Sequence, residues 1–137
     1  MRGGRVGLGC FAFPTDPEFF DMPPIVLKLA PWLMLVASNV FMTFAWYGHL
    51  KNKSMALPVA ILTSWLIALP EYMLAVPANR LGSTMYSTAQ LKTGQEAITL
   101  IVFTLFSVFY LGEQIKFTTL LGFALIVCGA GLVFFFK

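Results

Sequence analysis

Four long apolar stretches constrain this chain of 137 residues more than any other feature. Residues 29–48 and 117–136 are each 20 residues without a formal charge. Residues 55–76 carry one charge, Glu71, near the end. Residues 97–112 give 16 uncharged positions, and 90–96 extend them into a full-length segment. A helix rises about 1.5 Å per residue, so about 20 residues cross a hydrocarbon core about 30 Å thick. The chain therefore reads as all-α, an integral membrane bundle of four transmembrane helices joined by short loops.

Composition agrees with lipid as the solvent. Hydrophobic residues make up 58% of the chain and charged residues 11%, against about 25% charged in ordinary soluble domains. A soluble bundle needs a polar outer face on every helix. The stretch 117–136 has none, since its polar side chains are Thr118, Thr119 and Cys128 alone. The net charge of +3 is small and scattered, which argues against a nucleic-acid partner. Basic residues stand at helix ends, at the level of lipid headgroups. Cys10 and Cys128 form no disulfide framework or metal-ligand spacing, and Cys128 reads as a small packing residue. With His49 the single histidine, no metal site is expected. No cofactor is expected either. A nucleophile–histidine–acid set and a Gly-rich phosphate loop are both missing, so the chain reads as not an enzyme.

The N-terminal tail, 1–23, separates from the transmembrane domain, 24–137. It holds Gly3, Gly4, Gly7, Gly9, Pro14 and Pro17 and three acids. A signal peptide needs a longer apolar core than 6–13 and a small-residue cleavage site after it. A disordered tail, or a stretch ahead of a true start at Met22, fits better.

The first helix is expected from about Pro24 to Gly48, with Trp46, Tyr47 and His49 as an interface belt and 51–54 as a tight loop. The second is expected over 55–76, with Pro58 and Pro70 inside it and 77–82 as its stop. The hydroxyl-rich connection 83–89 leads to a third helix from near Gln90 to Gly112. A turn at 113–116 precedes the fourth helix. Four spans put both termini and the middle loop on one side, with Arg2, Arg5, Lys28, Arg80, Lys92 and Lys137. Lys51, Lys53 and Lys116 fall on the other. The positive-inside rule then puts the termini in the cytoplasm. Without the tail the bias is slight, which leaves antiparallel insertion open.

An ionisable residue inside a span is a candidate for function by default. Glu71 and Glu96 are the two carboxylates. Lys92, Glu96, Thr99, Ser107 and Tyr110 share a face of the third helix by spacing. Asn39 and Thr43, continued by Trp46, make a shorter stripe on the first. Such stripes should face the bundle or a wet cavity. In one reading Glu96 or Glu71 exchanges a proton for a cargo cation along an aromatic-lined path. In the other, Lys92–Glu96 is an i, i+4 ion pair, Glu71 pairs with Arg80 near the headgroups, and the aromatics pack or anchor. Gly122 and Gly129, seven residues apart, share a face of the fourth helix. Small residues let helix backbones approach closely in lipid, so this face suits the contact of a homodimer.

The segment Ala37-Ser-Asn-Val-Phe-Met-Thr-Phe-Ala-Trp-Tyr-Gly-His-Leu-Lys51 resembles a small bacterial family of unknown function in the drug/metabolite transporter superfamily. So do Glu71-Tyr72, Val76-Pro-Ala-Asn-Arg80, Ala89-Gln-Leu-Lys-Thr93 and Gln95-Glu-Ala-Ile-Thr-Leu100. The pieces Leu111-Gly-Glu113 and Gly122-Phe-Ala-Leu-Ile-Val-Cys-Gly129 are similar to the wider superfamily, small multidrug transporters included. The resemblance covers about Ile25 to Lys137. It implies a multi-pass protein of the cell inner membrane, dimeric through a Gly122/Gly129 face, that moves a small metabolite or organic cation. A non-transporting subunit that stabilises a partner is the alternative. Those small pumps carry an essential acid in the first helix, where this chain has Asn39 and Thr43. Proton coupling would then fall to Glu71 or Glu96.

Overall fold

The structure, a computed structural model, describes residues 22–136. Nearly all of the tail 1–23 lies outside the described residues. Four helices long and apolar enough to cross a membrane follow one another. α1 is Pro24–Tyr47 and runs into a 3-10 turn, Gly48–Lys51. α2 is Leu57–Gly82. α3 is Thr88–Phe106, prolonged by a π-helical turn, Ser107–Leu111. α4 is Phe117–Phe135.

The helix starts follow from local chemistry. α1 opens with Pro24 in its first turn, where the missing N–H would have no intrahelical partner anyway. Ser87 caps α3: its hydroxyl accepts from the Gln90 N–H, and the Gln90 side chain accepts from the Ser87 N–H. This reciprocal capping box satisfies two donors that would otherwise face the membrane rim. α3 ends at Gly112, whose φ of +70° is left-handed. There the Glu113 N–H bonds back to the Ser107 carbonyl at 3.0 Å, a closure that glycine adopts without a Cβ clash.

The expected end of α2 needs correcting. The helix does not stop at 77–82 but continues to Gly82, with both Pro70 and Pro77 inside it. Each proline removes one backbone bond. A chain break within the lipid zone would strand several polar groups with no water to take them. Continuing the helix is therefore the cheaper solution, and it carries Glu71 away from the membrane surface.

α1 is the hub. It packs along α2 and, on another face, against α3, while α4 packs mainly on α3. The core is correspondingly thin: Pro31, Leu35, Ala45, Ala75, Ala78, Leu81 and Leu91 are among the few buried residues, and α4 has none. Small residues set the α1–α2–α3 approach at one end. A Cβ on Gly82 would come within 2.7 Å of Leu91 and 3.4 Å of Pro31. A Cβ on Gly94 would intrude into the six-membered ring of Trp32. Trp32, Tyr86 and Phe134 cluster beside it, with centroids 5.2–6.0 Å apart. Gln90 ties in the end of α4 by donating to the Phe134 carbonyl at 3.1 Å.

Candidate functional site

Neighbouring residues on a helix point about 100° apart. Ser38 and Asn39 therefore address two different helices. Both are 1% exposed, and both sit in the middle of α1.

Ser38 faces α2. Its hydroxyl lies 3.2 Å from a carboxylate oxygen of Glu71 and 3.2 Å from the Glu71 backbone carbonyl, with both oxygens as acceptors. Glu71 is half-buried. Eleven residues separate it from Gly82 and fourteen from Leu57, which puts it about 2 Å from the mid-point of α2 at 1.5 Å per residue. The expected Glu71–Arg80 pair is not available: nine residues of one continuous helix set them about 13.5 Å apart along the axis and on opposite faces. Pro70 and Pro77 bracket the acid.

Asn39 faces α3. Its side-chain amide donates to the Leu35 carbonyl at 2.8 Å, and its side-chain oxygen accepts from the Thr99 hydroxyl at 2.6 Å. Thr43, one turn on, is buried and donates to the Asn39 carbonyl at 2.7 Å. The α1 stripe and the middle of the α3 stripe thus meet, as a polar stripe in lipid should. Every buried side-chain nitrogen and oxygen among the described residues has a partner.

The two ends of the α3 stripe part company with its middle. Lys92 and Glu96 form an i, i+4 ion pair, with side chains 70% and 48% exposed. Lys92, four residues into α3, can carry its ammonium toward the membrane rim on a long stem, whereas the short Thr99 stays under α1. Ser107 is buried in the π-helical turn and donates to Glu113 at 3.0 Å. Tyr110 stacks on Phe106 at 4.8 Å and meets Phe44 edge-on at 5.0 Å. Lys51 holds its ammonium 4.4 Å above the Tyr110 ring.

Two clefts border this machinery. One, about 520 Å³, lies between α1, α3 and α4. Thr43 and Thr99 contribute polar groups, and Trp46, Tyr47, Phe103 and Phe123 form aromatic walls. Trp46 is 69% exposed at its rim. The other, about 270 Å³, lies at the end of the bundle bearing the 3-10 turn, bounded by Phe44, Lys51, Thr63, Ser64, Ile67 and Tyr110, among others. Ile67 is one helical turn from Glu71 on the same face of α2. Gly122 and Gly129 stand elsewhere, on α4, where an added Cβ would meet nothing within 4 Å. Cys128 beside them is exposed in the single chain rather than packed. No three of His, Cys, Asp and Glu gather among the described residues.

Two further residues take part, Ser38 and Lys51. Ser38 adjoins Asn39, and the 100° step was the available signal that a second polar residue would face a second helix. Lys51 ends the 3-10 turn after α1, and nothing local marks its reach to Tyr110, 59 positions away.

The family described as "Putative member of DMT superfamily (DUF486)" matches residues 31–134. The chain belongs to that family. The matched stretch takes in α2 and α3 whole and most of α1 and α4, so Ser38, Asn39, Glu71 and Thr99 all lie within it. Membership makes transport the general class of function for this multi-pass membrane protein. No curated protein and no solved structure matches the chain.

Proposed function

We propose that the protein is a secondary transporter of a small metabolite or organic cation, with Glu71 as the group that binds a proton and cargo in turn. The observation that carries this reading is the position of Glu71, half-buried at the middle of α2 and hydrogen-bonded to Ser38 of α1. An acid at that depth is costly to keep, and it is retained where it does work. Pro70 and Pro77 add to the case, because interrupted bonding within a spanning helix is typical of transport sites. Glu96, exposed, has its counter-charge in Lys92 one turn away on α3, whereas Glu71 is held by a hydroxyl of another helix.

The working unit in this reading is a homodimer in the cell inner membrane, with termini in the cytoplasm. α4 supports the dimer: no residue of it is buried, and Gly122 and Gly129 leave room for a second backbone. The rival reading, a subunit that stabilises a different membrane partner, draws on the same uncovered helix and on the internally satisfied Asn39–Thr99 contact.

The test is proton flux in proteoliposomes loaded with a pH-sensitive dye, challenged with a panel of alkylammonium and metabolite cations. Cation-dependent proton release that Glu71→Gln abolishes and Glu96→Gln spares is the expected result. No release with any compound from a correctly folded native chain supports the subunit reading instead.

A further inference from the structure

The end cleft carries a cation of the chain on its wall. Lys51 places its ammonium 4.4 Å from the centroid of the Tyr110 ring. Among the described residues no carboxylate pairs with Lys51, since the ion pair found there is Lys92–Glu96. The lysine charge is therefore met by an aromatic face rather than by an acid. That ring is itself held rigidly. Phe106 stacks on it with an interplanar angle of 24°, Phe44 packs edge-on to it at 72°, and Phe44 and Phe106 pack edge-on to each other at 5.0 Å. Phe106 is 7% exposed, so the cluster is anchored in the bundle. Thr63 and Ser64 supply hydroxyls across the cleft. Lys51 itself is exposed, on the short 3-10 turn, and can swing out without unfolding a helix.

We infer that this cleft is a binding site for a substituted ammonium ion, and that Lys51 is its tethered internal competitor. A face of an electron-rich ring attracts an ammonium through its quadrupole, most strongly where water is scarce. A lysine ammonium is a compact charge on a flexible stem, so it yields the site to a ligand that adds alkyl contacts with Phe44 and Tyr110. The α2 face that lines the cleft continues from Ile67 to Glu71 in one turn. Glu71 thus stands one turn beyond the cleft wall, on the same face of α2. The site's link to cargo rests on the transport reading above, while ligand binding itself does not.

The experiment is equilibrium binding of radiolabelled tetraethylammonium to the purified full-length chain in nanodiscs. Lys51→Ala should bind about 2- to 30-fold tighter, the range spanned by one cation–π contact. Lys51→Arg, which keeps a tethered cation, should bind no tighter than native. Tyr110→Leu should weaken binding about tenfold, and Tyr110→Phe, which keeps the ring face, should stay within about twofold of native. Unchanged or weaker binding by Lys51→Ala overturns the competitor role, and unchanged binding by Tyr110→Leu overturns the site. Circular dichroism of each variant excludes misfolding as the cause. The two readings fail separately. Glu71-dependent proton exchange with binding that Tyr110→Leu leaves unchanged leaves transport standing and removes this site. Tyr110-dependent binding without exchange does the reverse.

Discussion

The Asn39–Thr99 contact gives the packing account a number. Thr99 has one hydroxyl proton and two oxygens near it, the Asn39 side-chain oxygen at 2.6 Å and the Gln95 carbonyl at 2.8 Å. Asn39 commits its amide to the Leu35 carbonyl. Its oxygen is therefore an acceptor, and the short approach of Thr99 requires the proton to point at it. Thr99→Val keeps the shape and removes the proton. A buried acceptor left alone costs about 1–3 kcal/mol in soluble proteins. Polar pairs between helices in lipid average only about 0.6 and reach about 1.7 kcal/mol, because the separated helices find other partners. We therefore predict a loss of about 1 kcal/mol for Thr99→Val. A double-mutant cycle with Asn39→Leu should give a coupling of about 0.6–1.7 kcal/mol, so that the second change costs less once the first is made. The assay is reversible unfolding in mixed micelles with increasing sodium dodecyl sulfate, followed by helical circular dichroism. Additive losses, with no coupling, would refute the claim that this bond joins α1 to α3.

Gly94→Ala should cost about 1–3 kcal/mol in the same assay through overpacking against Trp32, and Trp32→Leu in the same chain should recover part of that loss. Ser87→Ala should cost about 1 kcal/mol by opening the capping box, and faster amide exchange at the Gln90 N–H should accompany it. Lys92→Ala should change stability by no more than about 0.5 kcal/mol, the worth of an exposed i, i+4 pair.

Much of the architecture could be read from the chain because lipid imposes one rule on every span. The four apolar stretches became the four helices, and α1 ends at Tyr47 with Gly48 as its C-cap, within a residue of the expected end. The α2 boundary was not legible for a specific reason. The run Pro77-Ala-Asn-Arg-Leu-Gly82 is a stop signal in water, where freed backbone groups are solvated. In a membrane the same proline costs one bond and the helix goes on. That single difference moves Glu71 from a rim position to mid-helix. The stripe on α3 was legible by spacing at Thr99 and Tyr110. At Lys92 and Glu96 the same spacing offers two readings, and the structure shows the i, i+4 ion pair. Tertiary contacts such as Ser38–Glu71 and Lys51–Tyr110 join residues 33 and 59 positions apart, and a single chain carries no local signal for them.

The account turns on the depth of Glu71, and its exposed neighbour Met73, 75% exposed, offers a direct gauge. A spin label at Met73→Cys, with Cys10 and Cys128 replaced by serine, can be measured for collisions with oxygen and with a polar nickel complex in bilayers. Nine residues separate Met73 from Gly82, or about 13.5 Å of helix. A label deep in the hydrocarbon, rich in oxygen collisions and shielded from nickel, is the predicted result. A label at the headgroup level would mean that α2 ends near Val76, and would contradict both the buried acid and the transport reading built on it.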